Sequence, residues 1–219
     1  MQAKQFLSAV AVAGTVSTLI LSASPAFAKQ LNYVVDDSKG RDSVSFTSDA
    51  PIELIVGKTS KITGKINIDE SLDLAKPFTA TFDVDLASID TGIELRNEHM
   101  RDNFLETKKF PKATFTVKNQ AGVSGVLQDK KKVTINATGD FSLHGVTVKK
   151  NVPVDLTFYK NCQSTQGKFE QCDLIQIKST ISVPFKDHQI KRPEVVFQKL
   201  ADTVIVTIAA TAKRELNKP

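Results

Sequence analysis

Tryptophan is absent from this 219-residue chain, and there are only two cysteines, two methionines and three histidines. Two cysteines cannot make the multi-bridge framework of a small disulfide scaffold, whereas 41% hydrophobic residues are ample for an ordinary core. Ten glycines and eight prolines with no G-X-Y period exclude a collagen-like chain. Long polar, charge-rich tracts are missing, as are linkers and repeats of 20 to 50 residues, so neither an extended disordered domain nor a repeat array is indicated. One compact domain is the expectation.

Several chemistries are missing too. His99, His144 and His188 stand 45 and 44 positions apart, with no i, i+2 or i, i+4 pair, so no metal-ligand cluster is written in the sequence. Each is expected to face solvent or to hold a structural hydrogen bond. There is no G-x-S-x-G elbow and no phosphate-cradling glycine loop of the Walker or Rossmann type. Asp83 and Asp85 fall on the outward side of a strand, where solvation explains them. No catalytic residue, metal or cofactor is therefore assigned. The formal charge is +5, but Lys108-Lys109, Lys130-Lys131-Lys132 and Lys149-Lys150 are scattered rather than gathered into a basic arm. Such lysines keep sheet edges from pairing with other molecules, so nucleic-acid binding is not expected. No basic amphipathic helix indicates stable binding to a membrane surface, which leaves transient contact.

The one long apolar run lies at the start, from Phe6 to Leu21, between Lys4 and the small-residue ending Ala26-Phe27-Ala28. This is the pattern of a cleavable secretory signal over 1–28, leaving a domain over 29–219 with a formal charge of +4. The alternative, an uncleaved anchor, is weakened by Ser8, Gly14 and Ser17 within the run. In an exported chain, Cys162 and Cys172 read as one disulfide across a hairpin loop around Gly167, contributing roughly 2.5 to 3 kcal/mol on the loop-entropy model. A redox pair would need closer spacing, such as C-x-x-C.

The rest is dominated by alternation at period two. Phe78, Ala80, Phe82, Val84 and Leu86 point one way while Thr79, Thr81, Asp83 and Asp85 point the other. The pattern recurs at 133–143, 152–158 and 175–183, with noisier versions at 43–47, 52–56, 60–69, 112–119, 122–128 and 203–212. A helix is expected from Thr91 to about Leu105, opened by a capping box in Thr91-Gly-Ile-Glu94. For Phe185 to Leu200 only a loop or short helix is expected. The fold class is all-β with one short helix: an antiparallel barrel of about eight strands. Such a barrel is either filled by side chains or just able to hold a ligand. Candidate lining residues are Ile66, Phe82, Val84, Phe104, Phe115, Ile135, Phe141, Phe158 and Ile177, each of which is plain core on the alternative reading. Gly64 and Gly139 leave room among them. On the helical segment, Arg96 and His99 share a face and form a candidate polar mouth for an anionic head group. The alternative pairs Arg96 with a rim carboxylate and Glu98 with Arg101.

Three blocks, DVDLASIDTG at 83–92, RNEHMRDNFLETKKFPKATF at 96–115 and ATGDFSLHGVT at 137–147, resemble the YceI-like family. The chain departs from that pattern at ISVPFKDHQI near its last strands and in the segment around its two cysteines. The resemblance implies a lipocalin-like extended barrel, exported to the periplasm, often dimeric, that holds a polyisoprenoid, quinone-like or other long-chain amphiphile in an apolar tunnel. It implies no established catalytic residue. The expected role is carrier, scavenger or store of lipid. Two other classes remain: an interaction or stress module without cargo, and an enzyme acting on a lipid or quinone, for which His99 with Asp90 is the pair to test.

Overall fold

Alternation of small, β-branched and aromatic residues gives extended backbone almost throughout the computed structural model, which describes residues 29–118, 123–162, 172–192 and 198–215. The expected signal segment 1–28 lies outside the described residues. Ten strands are seen among those described: β1 (Gln30–Asp36), β2 (Ser43–Asp49), β3 (Leu54–Thr59), β4 (Ile62–Asp69), β5 (Thr79–Asp85), β6 (Lys112–Lys118), β7 (Lys132–Leu143), β8 (Val146–Cys162), β9 (Cys172–Pro184) and β10 (Thr203–Arg214). All pair antiparallel, and β1, β4, β5, β6, β7, β8, β9 and β10 follow one another round a ring that the β1–β10 pairing closes. The protein is a closed eight-stranded antiparallel barrel with one short helix.

The two remaining strands explain how one long strand serves two neighbours. On one edge β10 pairs with β2 over Ile205 to Ala209 and with β1 only at Lys213 and Arg214. The amide of Thr211, which falls between the two ladders, is bonded instead by Asp42 Oδ1 at 2.9 Å. Asp42 is only 4% exposed, and burial raises its carboxyl above the ordinary range. The β2–β3 hairpin completes the upper wall of the barrel, where backbone bonds of 2.9 Å in both directions join Lys58 of β3 to Asp90. The Thr59 and Ser88 hydroxyls meet beside them at 2.6 Å.

β5 leads through a short 3-10 turn at Leu86–Ser88 to α1 (Glu94–His99), which continues as a π-helical turn over Met100–Phe104. The helix does not open with the expected capping box: Ile93 is its N-cap, without a side-chain bond. Thr91 points elsewhere, donating to Asn97 Oδ1 at 2.7 Å and accepting from Arg96 Nε at 2.9 Å. A second departure is at 123–128, the described part of the segment expected as a strand over 122–128. Val123 and Leu127 are buried as alternation requires, but their segment makes only an isolated bridge and bonds of the Leu74–Gly125 and Leu127–Leu72 type across the barrel end. In the 185–200 region the described part forms a 3-10 turn, Phe185–His188.

Inward side chains form two clusters stacked along the barrel. The lower includes Tyr33, Ile68, Leu74, Val117 and Ile175, and the upper, beneath α1, includes Leu86, Ile89, Phe141, Val183 and Ile190. Between and within them the barrel is hollow.

Candidate ligand-binding cavity

A cavity of about 540 Å³ runs through both clusters, bounded by inward residues of the barrel strands and by α1 with its π-helical turn. This volume is within the ordinary range for small-molecule sites. Its wall is apolar apart from Glu53, Thr91, Arg96, His99, Ser179 and Lys199. Ser179 is turned to the backbone, donating to Pro153 O at 2.7 Å. The other five gather at the α1 end, which gives the cavity a polar mouth and an apolar body.

Eight of the nine residues expected in the lining stand in this wall: Ile66, Phe82, Val84, Phe104, Phe115, Ile135, Phe141 and Ile177. Phe158 does not. It is buried in the lower cluster at the end far from α1, where its carbonyl accepts from Lys130 at 2.7 Å, and it serves as core. Arg96 and His99 both stand at the mouth, one helical turn apart. Arg96 is held by Glu53 Oε1 at 2.7 Å through Nη1 and by Thr91 O at 2.9 Å through Nη2. Arg101 pairs with Glu94 at 2.6 Å, not with Glu98. Sequence reading missed Glu53, Lys199 and Phe46, because nothing in the chain signals that the β2–β3 hairpin and residues near 200 fold over the same mouth.

Asp90 is committed to one backbone and one side-chain donor around α1. Its Oδ1 accepts from Gly92 N and from Asn97 Nδ2, both at 2.8 Å, and these bonds hold its carboxyl below the usual carboxylate range. That is the opposite of a general base tuned toward neutrality. His144 and His188, distant in sequence, meet below the helix: His144 Nδ1 donates to His188 O at 3.1 Å, and its Nε2 lies 3.2 Å from Glu106. His188 is fully buried, with Nδ1 bonded to Val146 O at 3.2 Å and the ring edge-on to Phe141. Burial lowers its pKa. Among the described residues, no three His, Cys, Asp or Glu side chains are grouped to hold a metal ion.

The hairpin between β7 and β8 explains one of the recognisable blocks physically. His144 and Gly145 have φ of 53° and 76°, the two left-handed positions of a type I′ turn, and the Phe110 ring packs where a Gly145 side chain would be. Cys162 and Cys172 face each other in register at the ends of β8 and β9. Their side chains lie outside the described residues, as does the loop between them.

A closed antiparallel barrel with an apolar cavity opening under a helical lip is the architecture of lipocalin-like binding proteins. More narrowly, the chain belongs to the YceI-like domain family, which it matches over residues 33–212. It is 32% identical over 148 residues to a UPF0312 protein of Shewanella baltica, covering 66% of this chain and 68% of the relative. A UPF0312 protein of Shewanella denitrificans is 33% identical over 127 residues, 56% of this chain and 61% of that protein. Among solved structures, a polyisoprenoid binding domain from Saccharophagus degradans superposes with a TM-score of 0.63 at 20% identity, covering 84% of this chain and 99% of that one. BcnA from Burkholderia cenocepacia superposes at 0.58 with 19% identity, covering 81% and 98%. At these identities the two structures support the fold.

Proposed function

We propose that this protein is an exported, periplasmic binding protein that holds a long-chain isoprenoid, quinone-like or similar amphiphilic lipid in its barrel and carries or stores it across an aqueous space. The observation that carries this reading is the cavity: about 540 Å³, apolar along its body, with its charged residues confined to the α1 end. An apolar tail fills such a space while a head group stays at Arg96, His99 and Lys199. The solved neighbour described as a polyisoprenoid binding domain supports the same class of cargo. The signal at 1–28, a Cys162–Cys172 disulfide and a homodimer belong to this proposal. The test for the disulfide is the mass shift on thiol alkylation with and without reductant.

The lipid is exchanged with a bilayer through the mouth, where Ile93 and Leu95 line the cavity and are also 52% and 62% exposed. Catalysis has no support in the arrangement at Asp90, and the protein is read as a binder. A cargo-free docking module is the second reading, favoured by the exposed Ile52 and Leu54 on the same end.

The deciding experiment is purification from the native host, extraction with organic solvent and mass spectrometry of the extract and of the intact complex. A lipid of long chain at near one-to-one stoichiometry establishes the binder. Folded protein that is empty, and stays empty when offered polyprenols, quinones and fatty amides, overturns it in favour of the docking module.

A further inference from the structure

We propose that glycine–phenylalanine pairs on the inner wall set the width of the cavity along its length, and that this width admits methyl-branched chains. The proposal rests on the lipid-binding reading and names the feature that selects within that class.

Phe46, Phe82 and Phe115 all point inward, all line the cavity and all are only partly buried. On a barrel wall an inward phenylalanine normally projects into the lumen. Here each ring lies over a glycine on a neighbouring strand. Gly57 is the register partner of Phe46, and Gly64 of Phe82. Gly139 lies diagonally beside Phe115. A Cβ at Gly57 or Gly64 would come closer than 3.0 Å to atoms of the ring above it, nearer than real Cβ atoms approach. Each ring is therefore laid along the wall in space that only an absent side chain leaves free.

The three rings are spread along the interior, with Phe115 at the junction of its two halves. Phe82 packs on the lower cluster, Phe46 on the upper and Phe115 on both. A chain occupying both halves must pass along all three. With the rings withdrawn, the bore takes the extra breadth of a methyl branch. Were a ring displaced by a side chain beneath it, the lumen is the side open to it, and only a straight chain would pass.

The test compares a polyprenol with a saturated straight-chain alcohol of the same carbon number, by direct binding to purified protein. Wild type should bind both. Gly64→Ala and Gly57→Ala should weaken polyprenol binding about tenfold or more while leaving the straight-chain alcohol within about threefold. The double variant Gly64→Ala with Phe82→Ala should recover polyprenol binding, and retention of the straight-chain alcohol by Gly64→Ala alone separates a narrowed bore from a folding defect. Gly139 is a poor probe, since a Cβ there comes within 2.6 Å of the Thr116 carbonyl; at Gly64 the Thr81 carbonyl is 3.0 Å away, and at Gly57 the nearest atoms all belong to the Phe46 ring. Equal loss of both ligands, whether or not the double variant recovers, or no change in either, overturns the proposal. Wild type that binds neither ligand fails at the earlier step, the lipid-binding reading itself.

Discussion

Three buried residues give different lessons about charge in this barrel. His188 has no exposed surface and its Nε2 has no hydrogen-bond partner among the described residues, so burial disfavours the imidazolium and its folded pKa is below 6.5. The sign follows from linkage: the neutral ring's contribution to stability is complete above 6.5, where the unfolded chain is also neutral, and declines as pH falls from 6.5 toward the lower folded value. Urea unfolding midpoints should fall over that window in wild type and be flatter in His188→Gln. Asp69, held at about 2 chiefly by its bond to Lys76, loses its contribution in a separate window, as pH falls from about 4 toward that value. Asp42 differs in kind, because its carboxyl is needed as an acceptor for Thr211 N and burial opposes its charge. Asp42→Asn keeps the acceptor and removes the charge, so its stability at neutral pH should equal or exceed wild type. Asp42→Ala leaves a buried amide unpaired and should cost about 1 to 3 kcal/mol in denaturant unfolding.

At the scale of elements, alternation identified most strands because one face of each is buried, as in β5, where Phe78 to Leu86 kept the expected sides. It missed β1, although Leu31, Tyr33 and Val35 alternate there, since the short run lies among acidic and polar neighbours. It also admitted 122–128, where buried Val123 and Leu127 cap the barrel end and Gly125, at φ 134°, breaks any continuous ladder. Apolar spacing reports which way side chains point; pairing is decided by what lies alongside. The His144-Gly145 turn was visible as a motif, and its cause is now geometric. Gly145→Ala demands a left-handed alanine that also meets the Phe110 ring. A loss of about 1 to 3 kcal/mol in chemical denaturation is expected, with the β7–β8 register retained.

For the whole molecule, the same limit separated fold from site. The inward residues were readable from sequence, but whether opposing walls touch or stand apart depends on where Gly57, Gly64 and Gly139 let rings lie back, and on the hairpin that brings Glu53 to Arg96. The resulting hollow also governs energetics. Burial of each five-carbon unit gives roughly 4 kcal/mol against water, at about 0.8 per carbon. A lipid resident in a bilayer, however, leaves surroundings as apolar as the cavity. Transfer from membrane to barrel is therefore nearly balanced, even though transfer from water is strongly downhill. Protein loaded with a polyprenol and equilibrated with vesicles should lose cargo progressively as vesicle lipid increases, and empty protein should gain it from vesicles rich in the polyprenol. Occupancy measured by native mass spectrometry after separating the vesicles checks both directions. Cargo that stays fully bound against a large excess of bilayer would mean that the charged mouth, and not the apolar body, supplies most of the affinity.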